Sequence, residues 1–215
     1  MENITTVYLI RHSSKLSNQL VSHEYNSEYY QNRREKIVLS IEGEKRAELL
    51  SKEKEFYNID VIYSSNYTRT IQTAKYFAES RNMIIHVDNR FNEIRLGIVQ
   101  DEDITIKQYS DENLKNPDGE SQKEVRERMQ AGFQEVVNKN RGKNIAIFTH
   151  GAAITFLLMC WCKLEYIHDD KHKCLSFNGN IIVDKKFDAP EVFKLQISDE
   201  NEIFSIKNLE FNSLK

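Results

Sequence analysis

An apolar segment near the N-terminus, residues 7–10, is followed immediately by Arg11 and His12. The segment is long enough for a buried β-strand, and no turn separates it from the polar pair. In an open parallel sheet, ligands bind in the crevice at the carboxyl ends of the strands. An arginine beside a histidine at that place supplies an anion-binding group next to a nucleophile or base. The segment therefore predicts an α/β sheet with chemistry at its edge.

Two further apolar segments end in polar groups of the same kinds. Residues 144–148 precede Thr149 and His150, and residues 60–63 lead through two serines to Arg69. Because the carboxyl ends of parallel strands meet at one edge of a sheet, we expect the two arginines and the two histidines to lie close together. Guanidinium groups donate paired hydrogen bonds to phosphate, so this edge is a candidate phosphate site.

The segments between these strands have helical patterns. Apolar residues recur with helical spacing after Arg69, and a short strand is predicted over 83–87. Ser121 and Glu124 have the spacing of a capping box, and an amphipathic helix is predicted to follow them. This alternation of helices and strands is typical of α/β proteins.

The remainder of the chain changes from helical to β-rich patterns. An apolar helix is predicted over 152–164, and β-rich segments follow at 180–184, 192–197 and 203–206. We expect residues 1–215 to form one domain of the α/β class. Its predicted architecture is a three-layer sandwich with a mostly parallel central sheet, helices on both faces and a β-rich C-terminal edge.

Residues 16–38 interrupt the alternation with a polar, aromatic stretch that includes Tyr25, Tyr29 and Tyr30. An inserted segment directly after a strand-end motif is typical of a lid. We interpret it as a lid-like segment that faces the substrate; a solvated, partly helical excursion is the alternative. We expect the pocket walls to come from this segment and from residues 98–120.

The charge and length of the chain restrict its partners. The 215 residues carry a formal net charge of -3, so no overall basic field attracts nucleic acid or an acidic membrane surface. The first residues lead directly into the first strand without a long apolar stretch. We expect a cytoplasmic protein that binds neither membranes nor nucleic acid. Its oligomeric state does not follow from the sequence.

The three cysteines, Cys160, Cys162 and Cys174, are an odd number in a chain that we expect to be cytoplasmic. This pattern predicts reduced thiols rather than a disulfide framework. His168 and His172 lie nearby, which raises the alternative of a metal site. Cysteines two residues apart in an apolar stretch are not usual zinc spacing, so we favour helix packing.

Five short motifs occur in a fixed order along the chain. They are Arg11-His12, Ser64-Ser65 with Arg69-Thr70 and Thr73-Ala74, Glu93 with Gly97, residues 117–121, and Thr149-His150-Gly151. In this arrangement the chain resembles the histidine phosphatase superfamily, in its phosphoglycerate-mutase-like branch. The resemblance extends over nearly the whole chain.

The resemblance implies a metal-independent phosphatase that uses no cofactor and acts on a small phosphorylated substrate. His12 would be the nucleophile that forms a phosphohistidine, because an imidazole is largely neutral at cellular pH. Glu93 would be the general acid and base, with Asp101 and Glu102 as nearby alternatives. The remaining residues implied to bind the phosphate are Arg11, Arg69, His150 and Asn18.

Some positions differ from the pattern of the relatives. Ser13 stands where relatives usually have glycine, and Lys15 stands where a threonine or serine is usual. Ala152 and Thr155 replace a glycine and an arginine that often follow the second histidine. Three functions therefore stay open: a phosphatase of small phosphomonoesters, a phosphoglycerate mutase with the same intermediate, and a catalytically weak module that binds a phosphorylated ligand.

Overall fold

The computed structural model describes residues 3–16, 27–100 and 103–214. Within these ranges nine strands form two sheets. In chain order they are β1 Thr5–Arg11, β2 Val61–Ser64, β3 Ile85–Val87, β4 Asn144–Thr149, β5 Lys163–Ile167, β6 His172–Phe177, β7 Asn180–Lys186, β8 Val192–Ile197 and β9 Ile203–Leu209.

The larger sheet has six strands in the order β3-β2-β4-β1-β8-β9. The first four run parallel to one another. The last two, β8 and β9, are antiparallel to their neighbours. The mostly parallel central sheet and the β-rich C-terminal edge are thereby confirmed. Because β1 and β4 are parallel neighbours, their carboxyl ends lie side by side.

Helices cover both faces of this sheet, as the three-layer architecture requires. In chain order they are α1 Ser27–Lys36, α2 Ile41–Ser51, α3 Thr68–Arg81, α4 Ile104–Lys107, α5 Gln122–Lys139 and α6 Gly151–Leu158. The helices α2 and α3 pack on one face, and α5 and α6 pack on the other. None of the helices in the described ranges combines the length and apolarity needed to cross a bilayer.

Strand β1 shows how the sequence produces a strand that is covered by helices on both faces. Val7 and Leu9 point into the cluster formed with α5 and α6, whereas Tyr8 and Ile10 point into the cluster with α2 and α3. All four side chains are buried. A continuous apolar run is what a strand covered on both faces needs, since successive side chains alternate between faces.

The capping box predicted for α5 is confirmed. The Ser121 hydroxyl accepts the Glu124 backbone N–H at 3.2 Å, and the Glu124 carboxylate accepts the Ser121 backbone N–H at 2.8 Å. Two N–H groups without helical partners are satisfied in this way, which fixes the start of the helix. The helix then returns the chain to β4 in the middle of the sheet.

The prediction of one helix over 152–164 is wrong in its length. Helix α6 ends at Leu158, and a turn over 159–162 leads into β5. Apolar periodicity does not separate a helix from a buried turn and a strand that follow it directly. The segment predicted at 180–184 belongs to β7, which pairs with β6 in a separate sheet of order β5-β6-β7. This small antiparallel sheet was not predicted.

Candidate active site

The carboxyl ends of three parallel strands bring the predicted polar groups together. Arg11 is the last residue of β1 and pairs across the sheet with Thr149, the last residue of β4. His12 and His150 therefore follow neighbouring strand ends, and the centroids of their rings are 5.3 Å apart. Arg69 lies in the first turn of α3, the helix that follows β2. The sequence prediction that these groups lie close together is confirmed by this geometry.

His12 is held as a neutral imidazole. Its Nδ1 donates a hydrogen bond to the backbone carbonyl of Ser13 at 2.7 Å, which leaves the lone pair on Nε2. Burial lowers the pKa of His12 well below its usual value, and the charges of Arg69 and Arg11 lower it further. A neutral ring with a fixed tautomer is the form that a nucleophilic histidine requires.

Both ring nitrogens of His150 already have partners within the protein. The Arg69 guanidinium donates to Nδ1 at 3.1 Å, so Nε2 carries the proton and donates to the Ser65 hydroxyl at 2.8 Å. Burial, followed by the charge of Arg69, lowers the pKa of His150 well below its usual value. The ring of Tyr67 packs edge-on against it at 4.6 Å. In this arrangement His150 orients the arginine and carries no charge of its own.

The two predicted arginines are buried or half-buried and only partly satisfied by the protein. Arg11 donates from one terminal nitrogen to the carbonyls of Phe187 and Asp188, at 2.7 and 2.8 Å. Arg69 donates to the carbonyl of Arg34 at 2.6 Å. The Nε atoms of both Arg11 and Arg69 are buried and have no hydrogen-bond partner among the described residues. Buried donors of this kind are usually satisfied, so they suit an anionic ligand.

Glu93 lies at the N-terminus of α6. Its carboxylate accepts the backbone N–H of Ala153 at 3.1 Å, that of Ala152 at 3.4 Å and that of Ile94 at 3.1 Å. Helix N-termini stabilise a carboxylate because their N–H groups have no partner within the helix. Glu93 lines the same pocket as Arg11 and His12.

The backbone around Glu93 is fixed by Arg128 on α5. Its guanidinium donates to the carbonyl oxygens of Arg90 and Asn92, at 2.8 and 2.9 Å, and to that of Glu93 at 3.3 Å. The same group forms an ion pair with Glu120 at 2.7 Å. Sequence reasoning missed Arg128, because an arginine in the middle of an amphipathic helix has the pattern of a solvated residue.

Several predicted site residues fall outside the described ranges. Asn18 lies outside them, and so do Asp101 and Glu102, the alternatives to Glu93. Lys15 is described, and partial desolvation, followed by the charge of Arg69, lowers its pKa to about 8.

A pocket of about 260 Å³ is lined by three of the predicted site residues, Arg11, His12 and Glu93, whereas Arg69 and His150 are not among its lining residues. Both predicted wall segments contribute to it, 16–38 through a residue of α1 and 98–120 through residues in and after α4. The small sheet forms a further wall that sequence reasoning missed. Other lining residues include Arg34, Tyr109, Lys171, Lys173, Lys186 and Phe187.

The cysteine region shows packing, with no metal-ligand geometry in the described part of the chain. Cys162 and Cys174 are buried, Cys160 is half-buried, and all three thiols are free. Cys160 and Cys162 contact the apolar core, but they lie in the turn after α6. The prediction that they pack within a helix is therefore wrong. No cluster of three or more histidine, cysteine or acidic side chains suited to a metal ion is found in 3–16, 27–100 and 103–214.

The fold and the strand-end site define a protein of the phosphoryl-transfer class, and comparison with known proteins gives the family. Residues 7–183 match the histidine phosphatase superfamily (branch 1), so the chain belongs to that superfamily. Among curated relatives, a probable phosphoglycerate mutase GpmB of Escherichia coli O1:K1 is 24% identical over 163 residues, covering 71% of this chain and 72% of the relative. The corresponding Citrobacter koseri protein is 25% identical over 163 residues, which again cover 71% of this chain and 72% of the relative.

Solved structures share the fold over nearly the full chain. Bacillus stearothermophilus YhfR superposes with a TM-score of 0.69 at 20% identity and covers 98% of this chain and 100% of its own. A mycobacterial glucosyl-3-phosphoglycerate phosphatase has a TM-score of 0.65 at 17% identity and covers 96% of each chain. A phosphoserine phosphatase mutant from Entamoeba histolytica, solved with phosphoserine, has a TM-score of 0.64 at 17% identity, covering 94% and 96%.

Proposed function

We propose that the protein hydrolyses small phosphomonoesters through a phosphohistidine intermediate on His12. One observation carries the proposal: a buried neutral imidazole, with its lone pair on Nε2, lies beside two guanidinium groups with unsatisfied donors. Nucleophilic attack on a phosphate dianion requires an uncharged nucleophile and fixed cations that hold the transferred oxygens. Arg11 and Arg69 are the candidates for those cations.

In the first step, Nε2 of His12 forms a bond to phosphorus while the bond from phosphorus to the ester oxygen breaks. The departing oxygen takes a proton from Glu93 in its acid form. In the second step, Glu93 as carboxylate removes a proton from water, whose oxygen displaces the phosphoryl group from nitrogen. Inorganic phosphate leaves and His12 returns to its neutral form. One carboxyl group thus acts first as acid and then as base.

His150 has a supporting role in this scheme. Since Arg69 and Ser65 occupy its two ring nitrogens, it orients the Arg69 guanidinium toward the phosphoryl group. A direct contact between His150 and phosphate requires one of these hydrogen bonds to be exchanged on binding. No metal or cofactor takes part in the proposed steps.

A phosphoglycerate mutase is the second candidate, because the curated relatives carry that name. A mutase forms the same phosphohistidine but returns the phosphoryl group to the substrate instead of releasing it to water. The two activities separate in one assay, since only hydrolysis releases inorganic phosphate in stoichiometric amounts. A weak binding module would release almost none while still binding a phosphorylated ligand tightly.

The test is hydrolysis of an activated aryl phosphate, from acid to neutral pH, with excess chelator. His12→Ala is compared with the wild type and with His86→Ala, an exposed histidine on β3 that serves as a matched control. We expect chelator-resistant turnover that is lost in His12→Ala and retained in His86→Ala. Turnover that survives in His12→Ala would overturn the proposed nucleophile, and absence of turnover in the wild type would favour the mutase or the binding module.

A further inference from the structure

The small sheet places a buried lysine in the pocket wall. Lys173 on β6 is 5% exposed. Its ammonium donates to the hydroxyls of Thr155 at 3.1 Å and Tyr109 at 3.3 Å, and it lies 4.3 Å from the centre of the Phe187 ring. These partners are all neutral. A buried ammonium is costly without a negative partner, so its usual neighbour is a carboxylate.

The other described residues that line the pocket supply one negative charge. Lys171 and Lys186 line it together with Lys173, and Glu93 is the one carboxylate among the described lining residues. The oxygens of Glu93 already accept three backbone N–H groups. The small sheet and the turn before β6 therefore add three cationic side chains to a pocket that also contains Arg11 and Arg34. The excess of positive charge at this wall favours an anionic ligand.

The position of Lys173 separates this wall from the reacting phosphoryl group. The hydroxyl of Thr155, which contacts the Lys173 ammonium, donates to the carbonyl of Gly151 at 2.8 Å. Gly151 directly follows His150, the second histidine of the strand-end site. Together the two hydrogen bonds place the Lys173 ammonium within about 6 Å of the Gly151 carbonyl oxygen, beside the strand-end site. Two anionic groups of one small molecule can occupy both places.

We propose that Lys173, with Lys171 and Lys186, binds a second anionic group of the substrate, a carboxylate or a second phosphoryl group. This inference rests on the proposed function, in which the transferred phosphoryl group lies at His12. An ammonium acts as a point charge and accepts either anion, unlike the planar fork of arginine. Because Lys173 is buried, its attraction for an anion is screened less than that of a surface lysine.

The test uses three ligands with one carbon chain: butyl phosphate, 4-(phosphonooxy)butanoate and 1,4-butanediol bisphosphate. They differ only in the distal group, which is apolar, a carboxylate or a phosphoryl group. Binding is measured by calorimetry at physiological salt in a His12→Ala background, which removes the proposed nucleophile. We expect one or both ligands with two anionic groups to bind at least tenfold more tightly than butyl phosphate. The ligand that binds more tightly than butyl phosphate identifies which anionic group the subsite accepts.

Adding Lys173→Met to this background should reduce the gain to less than threefold, since methionine keeps the apolar volume and removes the charge. Lys171→Ala with Lys186→Ala is a second variant at exposed positions, and should reduce the gain by threefold or more. Lys52→Ala, whose ammonium pairs with Glu48 on the surface, is the control that retains the full gain. Circular dichroism checks that each variant is folded.

Equal affinity for the three ligands overturns the inference, and so does a gain that neither lysine variant reduces. The proposed function fails separately. Aryl phosphate turnover in the wild type together with equal affinities supports the phosphatase and removes the second subsite. A gain that depends on Lys173, without any turnover, supports the subsite and removes the phosphatase.

Discussion

The Arg69 guanidinium donates a hydrogen bond to Nδ1 of His150 at 3.1 Å. This contact joins two side chains that are far apart in the sequence, one after β2 and one after β4. It fixes the tautomer of His150, whose Nε2 then donates to Ser65. It also orients the arginine, whose Nε has no partner among the described residues. The histidine and the arginine therefore act as one unit in the candidate site.

Replacing this arginine by lysine should be severe. In Arg69 two separate nitrogens reach the Arg34 carbonyl and His150, and the one nitrogen of Arg69→Lys cannot reproduce this planar spread toward a phosphate oxygen as well. Loss of one charge-assisted hydrogen bond costs about 1.5–3 kcal/mol. We expect kcat/KM for an aryl phosphate to fall by roughly 10- to 100-fold.

The matched control for this change is Arg81→Lys, at the other end of the same helix. Arg81 donates to backbone carbonyls of Phe56 and Ser51, away from the pocket. Its replacement should leave kcat/KM within about twofold. Similar losses in the two variants would show that the effect comes from α3 as a whole rather than from the phosphate site.

The strand-end residues could be predicted from the sequence because a strand end is a local feature. Arg11 and His12 directly follow an apolar run, so their place at the sheet edge follows from the run itself. Lys173 could not be found in this way. It lies in β6, and its position in the pocket depends on how the small sheet packs against α6, which no local pattern encodes.

The pH dependence of stability follows from the two buried histidines. Burial lowers the pKa of His12 and His150 below the unfolded value of about 6.5. Between the folded and unfolded pKa values the unfolded chain binds more protons, so stability falls as pH decreases below about 6.5. We expect the urea midpoint to decrease over this range. The decrease should be shallower in His12→Asn, which removes one of the two groups.

The same low pKa keeps His12 uncharged in mild acid. Its protonation should therefore not limit kcat/KM until well below pH 6.5, and a pH profile of aryl phosphate hydrolysis measures this directly. His86→Ala is the control, because an exposed histidine should not alter the acid limb. An activity loss centred near pH 6.5 that persists in His86→Ala would contradict a buried, neutral His12 as the nucleophile.

Lys173 should reduce the stability of the protein in the absence of a ligand. Burial, followed by the charge of Arg11, lowers the pKa of Lys173 to about 8. The unfolded lysine has a pKa of about 10.4, so the charged form is disfavoured by folding, by on the order of 3 kcal/mol. We expect Lys173→Met to raise Tm at pH 7, while the wild type gains stability as the pH rises from about 8 to 10.4.

Lys194→Met provides the contrast for the Lys173 variant. The Lys194 ammonium forms an ion pair with Glu55 at 2.6 Å and is partly exposed, whereas the hydrogen-bond partners of Lys173 among the described residues are neutral hydroxyls. Its replacement should leave Tm unchanged or slightly lower. A lower Tm in Lys173→Met would mean that the hydroxyl and aromatic contacts of Lys173 outweigh the cost of its burial.

Arg128 is expected to be a positioning residue for Glu93. Its guanidinium binds one short backbone segment through the carbonyls of Arg90, Asn92 and Glu93, and methionine cannot replace these bonds. In Arg128→Met we expect kcat to fall at least tenfold with little change in KM, because Arg11 and Arg69, the arginines proposed to bind the phosphate, stay in place. The loss should be larger for alkyl than for aryl phosphates, since poor leaving groups depend more on a positioned acid.

Arg126→Met, on the same helix and paired with Glu112, is the control. Equal losses for alkyl and aryl phosphates would mean that Arg128 does not act through the proposed acid Glu93. Arg128 would then have a purely structural role.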